Sequence, residues 1–156
     1  MSTFPITFTI NTDTIITAYN THNGKIKGNE KPYGQDNRMP ITPSYYTSDP
    51  VPSGSPLAID IDAHTCIEIS FVDSAQNPNN SIYFQKFEDV QGDLISDTTN
   101  PNHDASLAMP VTLPVTGTAY ETFDILFQIE VQDSSNVSEI YYCELDPKLK
   151  ANQGHN

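Results

Sequence analysis

Apolar residues alternate with polar ones along four stretches of the chain, at residues 4–10, 57–61, 67–71 and 123–131. Strict alternation over about 4–8 residues is typical of a β-strand that buries one face and exposes the other. In the last stretch Asp124, Gln128 and Glu130 occupy the face that should be exposed. Two further apolar runs, at 82–87 and 137–145, carry aromatic residues on both faces, which is typical of strands covered on both sides or of strands that meet a partner.

Prolines and clusters of Asn, Asp, Ser and Gly separate these stretches into short elements. Many short strands with turn signals between them favour a sandwich or barrel-like fold. We therefore predict an all-β protein, a single antiparallel β-sandwich of jelly-roll type spanning residues 1–156. One helical turn is expected after Thr12-Asp13. Another is expected at Asp146, where Pro147 could take the first helical position.

Residues 20–56 differ from the rest of the chain. They hold several prolines and four of the seven Lys and Arg residues, and only Tyr45-Tyr46 is a candidate strand. Loops beyond about 12–15 residues without structure of their own are usually functional or disordered. We predict one long, irregular, Pro/Gly-rich loop at 20–56 and a flexible tail at 150–156.

Charge narrows the classes of partner. The 156 residues include 20 acidic and 7 basic side chains, a net charge of −13. This balance argues against nucleic acid and against anionic membrane surfaces, since both are bound through Lys and Arg. The apolar runs are much shorter than the roughly 20 residues of a membrane helix, so no membrane insertion is expected. The N-terminal residues do not resemble a secretory signal, which makes the cytoplasm the expected location.

A metal site is one candidate for chemistry. Asp60, Asp62 and His64 stand at i, i+2 and i+4, so on a strand all three would project from one face. Two carboxylates and an imidazole can hold a divalent cation. The alternative, which we favour, is the exposed face of a half-buried strand. His22 and His103 lie in polar loops and are expected to be solvated. No cofactor is expected.

Signals for catalysis are weak. Ser53-Gly54-Ser55 is a turn rather than a nucleophile elbow, and no glycine-rich phosphate-binding motif is present. Cys66 and Cys143 lie in apolar strands and are expected to be buried thiols. Carboxylates are too numerous to single out an acid–base pair. We predict that the protein is not an enzyme.

Glycan binding is the other candidate. β-Sandwiches often bind sugars through aromatic residues supported by Asn, Asp and Gln. Of the eight tyrosines, Tyr33, Tyr45 and Tyr46 fall in the unusual 20–56 region, where they would be exposed. The alternative is that these tyrosines cover the edge of the core with an apolar body and a polar tip. That alternative is favoured, because tyrosine is intermediate in burial even without a ligand.

Four stretches, in order along the chain, resemble the AidA/PixA family of bacterial proteins. Residues 11–19, NTDTIITAY, resemble its D-T-E-x-I-(4)-Y opening, and residues 54–63 resemble its G-x-x-L-x-I-x-A strand. Residues 81–87, SIYFQKF, are similar to its S-V-x-L-Y-x-F strand, and residues 141–147, YYCELDP, to its closing aromatic-x-W-D-P segment. The resemblance spans nearly the whole chain.

This resemblance implies a compact β-sandwich without catalytic activity. Members of the family are quorum-sensing-regulated products and inclusion-body proteins of host-associated bacteria. The function it implies is that of a self-associating protein, an inclusion-body former or a host-interaction product. Its partner would be itself, in a homo-oligomer or a larger assembly. The alternative from a different class is a lectin-like module whose partner is a glycan.

Overall fold

The computed structural model describes residues 3–92, 94–95 and 103–153. It is mainly β-structure, as predicted, with one helix among the described residues. The elements, in chain order, are β1 Phe4–Ile10, α1 Thr12–Gly24, β2 Met39–Pro40, β3 Tyr46–Asp49, β4 Ile59–Asp60, β5 Cys66–Asp73, β6 Asn80–Gly92, β7 Ser106–Pro110, β8 Thr118–Asp133, β9 Asn136–Leu145 and β10 Lys148–Asn152.

The strands form two open sheets. The first has the order β3-β1-β5-β7. In the second, β8 is the central strand, and β6 runs antiparallel to it over residues 121–131. Strands β9 and β10 follow one another along the opposite edge of β8, and the short strands β2 and β4 lie outside them.

Most strand pairs run antiparallel, as predicted, but both sheets are mixed. Strands β1 and β5 pair in parallel, as do β2 with β9 and β4 with β10. Parallel neighbours need a long crossover connection, and α1 together with the chain through β4 supplies it between β1 and β5. The finer jelly-roll description stays a prediction.

One core joins the two sheets. Buried apolar side chains from both sheets, from α1 and from the loops belong to a single cluster. The ring of Phe71 in β5 lies 4.6 Å from that of Phe127 in β8 and 5.0 Å from that of Phe84 in β6. The apolar side of the predicted 123–131 stripe is buried from Phe123 through Ile129, which confirms its facing.

The opposite face of β8 is covered rather than exposed. Gln128 and Glu130 are buried, and the Glu130 carboxylate accepts a hydrogen bond from Gln128 at 2.7 Å. The His103 ring lies 2.6 Å from the same carboxylate and stacks on Tyr83 at 3.8 Å. Its side chain is still 51% exposed, as expected, but it has partners that the sequence did not indicate. The Arg38 guanidinium donates to the carbonyl of Phe127 at 3.1 Å. Buried polar groups are tolerated here because distant loops bring hydrogen-bonding partners.

Helix α1 begins at the turn predicted at Thr12-Asp13 and is 13 residues long. The side chain of Asn11 accepts from the backbone N–H of Thr14 at 3.0 Å and caps the helix. Asp73 at the end of β5 accepts from both the N–H and the hydroxyl of Thr12, at 3.0 and 2.8 Å. These bonds fix the start of the helix against the first sheet. No helix among the described residues has the length and apolar character needed to cross a membrane.

The predicted irregular loop at 20–56 is shorter than expected. Helix α1 takes its first residues, and two strands lie within it. Strand β2 pairs with Cys143 and Glu144 of β9, while β3 pairs antiparallel with β1. Partners distant in sequence stabilise these short strands, and the longest stretch left without a helix or strand in this region is residues 25–38.

The C-terminal segment also differs from the prediction. Asp146-Pro147 does not begin a helical turn but separates β9 from β10, both of which pair with β8. Residues 150–152 are therefore part of a sheet rather than of a flexible tail. Their backbone groups are fixed by pairing with residues 118–120 of β8. Residues 154–156 lie outside the described residues.

Candidate functional site

An apolar groove of about 430 Å³ lies where β3, residues 51–59 and the start of β10 meet. This is within the size range of small-molecule pockets, about 300–1,000 Å³. We refer to it as the apolar groove. Its apolar lining is formed by Tyr46, Val51, Pro52, Leu57, Ile59 and Pro147.

A short hairpin forms one wall of the groove. Ser53 and Ala58 exchange two backbone hydrogen bonds, of 2.8 and 3.0 Å. Gly54 turns the chain with φ = 85°, a conformation that side chains with a Cβ rarely adopt. The hairpin places Val51 and Leu57 at the rim of the groove, where their side chains are 73% and 64% exposed. Large apolar side chains in water at a concave site are typical of a binding surface.

Two charged residues of opposite sign lie in the groove, Asp146 and Lys148. Burial, together with the negative charge of Asp146, raises the pKa of Tyr46 above its ordinary value. The ammonium group of Lys148 lies 5.9 Å from the centre of the Tyr120 ring. The two charges cancel, so the groove is close to neutral within a strongly acidic chain.

Replacing Asp146 by Asn is expected to lower the pKa of Tyr46, because a nearby negative charge disfavours the phenolate. NMR titration with labelled tyrosine measures this value. The pKa of Tyr33, which is raised mainly by burial, serves as the internal control and should not move. An unchanged Tyr46 titration would contradict the described placement of Asp146. Since the pKa of Tyr46 is raised in the folded state, its contribution to stability is complete below about pH 10 and is lost as pH rises further.

The structure does not bring the three predicted tyrosines into one site. Only Tyr46 lines the apolar groove. Tyr33 stacks on His22 at 3.9 Å, so His22 is not simply solvated as expected, and Tyr33 also packs 5.3 Å from Tyr19. Tyr45 lies beside α1 in a separate hollow with Thr14 and Thr17.

The three residues of the predicted metal site do not share a strand face. Strand β4 ends at Asp60, and Asp62 has φ = 50°, so the alternation stops in a turn. The Asp60 carboxylate accepts from the Asp62 N–H at 2.8 Å, and the His64 ring bonds to the Ile61 carbonyl at 2.9 Å. Across residues 3–92, 94–95 and 103–153, no three His, Cys, Asp or Glu side chains are grouped as metal ligands. The described geometry therefore does not place the three side chains on one strand face, and the favoured interpretation, that they bind no cation, stays a prediction.

Two rim residues, Val51 and Leu57, were not identified from the sequence. Leu57 belongs to an alternating stretch and was expected to face the core, and Val51 lies in a loop. The prolines around them, at 50, 52 and 56, were the available signal, because they prevent regular pairing of this segment. The other wall of the groove, Asp146-Pro147, belongs to the resemblance described above.

The two cysteines are free thiols in different sheets. Burial raises the pKa of the Cys143 thiol far above its ordinary value, whereas Cys66 is partly accessible. We expect a thiol reagent to modify one cysteine per native chain promptly and the second only after unfolding. Cys66→Ser should abolish the prompt reaction, and Cys143→Ser should leave it intact. Prompt modification of both thiols would contradict the described burial of Cys143.

No family model matches the sequence, and no curated protein matches it. Among solved structures, the fold is similar to that of an inclusion body protein, PixA, from Burkholderia cenocepacia J2315. The sequence identity is 12%, the match covers 97% of each chain, and the TM-score is 0.62. The resemblance to PixA noted from the sequence is thus confirmed at the level of the fold.

Proposed function

We propose that this protein is a non-catalytic, self-associating β-sandwich of the PixA type. It accumulates in cytoplasmic inclusion bodies or serves as a host-interaction product. The observation that carries the proposal is the likeness of fold to an inclusion body protein along 97% of both chains. The agreement of four short motifs with the AidA/PixA family supports it independently.

The surface supports the same proposal. Val51 and Leu57 form an exposed apolar rim, and burial of such surface between copies is favourable by roughly 25 cal/mol per Å². The net charge of −13 makes copies repel one another at pH 7. At physiological ionic strength, exposed charges more than about 8 Å apart are largely screened from one another, so copies can still make contacts between neutral patches.

Light scattering across pH 4–8 tests self-association. Carboxylates titrate near pH 4, so repulsion should fade toward the sequence pI of 4.3. We expect a small oligomer in dilute solution at pH 7, and ordered assemblies on acidification that redissolve when pH is raised. Electron microscopy distinguishes ordered assemblies from amorphous isoelectric precipitate. Amorphous precipitate alone, or a monomer at every pH, would count against the proposal.

Glycan binding is the second candidate function, and one observation favours it. The Tyr46 ring and the Asp146 carboxylate line the same groove, which offers an aromatic face and a hydrogen-bond acceptor to a sugar. A glycan array at neutral pH with calcium tests it. Tyr46→Ala should abolish a true signal, whereas Tyr45→Ala, beside α1, should not. No signal for the unmodified protein would end this alternative.

A further inference from the structure

We propose that copies of this chain join head to tail, with the exposed turn at residues 112–117 of one copy inserted into the apolar groove of the next. The inference rests on the proposed self-association and names the two surfaces that meet. We call this turn the Val115 tip, after the residue at its end. The occupant of the groove is therefore a second copy of the same chain.

Val115 is 95% exposed, more than any other large apolar side chain in the described part of the chain. Val115 directly follows Pro114, and Leu113, one residue earlier, packs against the core. A fully exposed valine next to a proline is a compact apolar knob. Burying the Val115 side chain against a partner would remove its apolar surface from water, which is favourable.

The Val115 tip is held firmly on both sides. On one side the Thr112 N–H donates to the Leu94 carbonyl at 2.7 Å. On the other, Gly117 and Gln153 exchange two hydrogen bonds, of 2.8 and 3.0 Å. A preorganised turn has little conformational freedom to lose on docking, so more of the contact energy is available for association.

Electrostatics favours this pair of surfaces. Residues 105–120 contain no charged side chain, although the chain as a whole carries −13. The apolar groove contains one negative and one positive residue, Asp146 and Lys148. The Val115 tip therefore brings no charge of its own into a groove whose two charges are balanced, which limits the repulsion that a strongly acidic protein meets at an interface.

The two surfaces lie at opposite ends of β10. The groove includes Pro147 and Lys148 at the start of this strand, and the tip bonds to Gln153 just after its end. Strands rise about 3.3 Å per residue, so the two sites are separated by roughly 15 Å along the strand. Each contact uses one tip and one groove and leaves the others free. Such heterologous contacts build rings or open rows of copies rather than closing after two.

Two variants separate the halves of this contact. Val115→Asp removes the tip and keeps the groove, whereas Leu57→Asp alters the groove rim and keeps the tip. Val137→Asp is the matched control, because Val137 is an exposed valine on β9 outside both surfaces and the added charge is the same. All three positions are exposed, and thermal unfolding verifies that each variant folds. Val115→Ser provides a second tip variant without added charge.

Sedimentation velocity at pH 7 is the readout. We expect Val115→Asp and Leu57→Asp each to remain at 17.3 kDa at concentrations at least about tenfold above the point where wild type assembles. Val137→Asp should assemble as wild type does. An equimolar mixture of Val115→Asp and Leu57→Asp should give a one-to-one dimer and nothing larger, since one variant supplies the only tip and the other the only groove.

Other results overturn the inference. Assembly of Val115→Asp at the wild-type threshold, a mixture that stays monomeric, or a wild type that stops at a closed dimer would each exclude the head-to-tail contact. If wild type assembles and Val115→Asp does too, self-association stands and only this contact is refuted. If wild type never assembles, the proposed function itself fails.

Discussion

Phe127→Ala is expected to lower the free energy of unfolding by about 3–5 kcal/mol, the range for truncating a buried aromatic side chain. Phe127 is fully buried in β8, and its ring lies 4.6 Å from that of Phe71 in the other sheet. The cavity would open where the two sheets meet, and packed strands on both sides limit its collapse. Urea denaturation measures the change through the transition midpoint.

Val137→Ala is the control for this substitution. Val137 is exposed on β9, so its truncation should change the unfolding free energy by no more than about 0.5 kcal/mol. Equal effects of the two variants would show that Phe127 does not join the sheets as described.

Gly92→Ala should destabilise the protein by about 2–6 kcal/mol, the sum of backbone strain and overpacking. Gly92 has φ = 140°, which L-residues rarely adopt, and an added Cβ would lie 2.5 Å from the Tyr120 carbonyl oxygen. It would also lie 2.6 Å from Oε2 of Glu121. That carboxylate cannot readily move, since Oε1 accepts from the backbone N–H groups of Leu94 and Ile95 at 3.1 and 2.9 Å.

Gly28→Ala separates the two contributions. Gly28 also has positive φ, 64°, but an added Cβ would meet no heavy atom within 4 Å beyond its chain neighbours, so only strain of about 1–2 kcal/mol is expected. Chemical denaturation of both variants gives the difference. If Gly92→Ala costs no more than Gly28→Ala, the close approach of β6 and β8 at this point is wrong.

Local alternation was sufficient to predict β1, β5 and the centre of β8, because a two-residue period reports directly which face is buried. Strand β2 has two residues, too few for any period to show, and the alternation at residues 57–61 continues as a strand only at Ile59–Asp60, β4. Their parallel pairing with β9 and β10 depends on chain crossovers that no local pattern records. The same holds for Pro147, which fits the start of a helix but here precedes a strand.

The burial of the polar face of β8 also could not be predicted from the sequence. Glu130 was expected to face water, and the ring that covers it belongs to His103, 27 residues away. Glu121, in turn, is fully buried, and its carboxylate accepts hydrogen bonds from the backbone N–H groups of Ile95 and Leu94, which are 26 and 27 residues away. A polar residue is exposed by default, and only the tertiary structure supplies the partners that let it be buried.

Part of the candidate site could be predicted from the sequence. Tyr46 was proposed for ligand contact and lies in the groove, while Tyr33 and Tyr45 lie beside α1. Val51 and Val115 were not singled out, because a local sequence does not show whether an apolar residue faces the core or the solvent. Exposed apolar residues are identified only once the fold is known.

A concentration series at pH 7 tests self-association most directly. Static light scattering from dilute solution to millimolar concentration measures the mean mass against the 17.3 kDa of one chain. Self-association through open-ended contacts predicts a small oligomer at low concentration and a mean mass that keeps rising with concentration without reaching a plateau. A mass of one chain throughout, even at millimolar concentration, would contradict it and leave glycan binding as the better candidate.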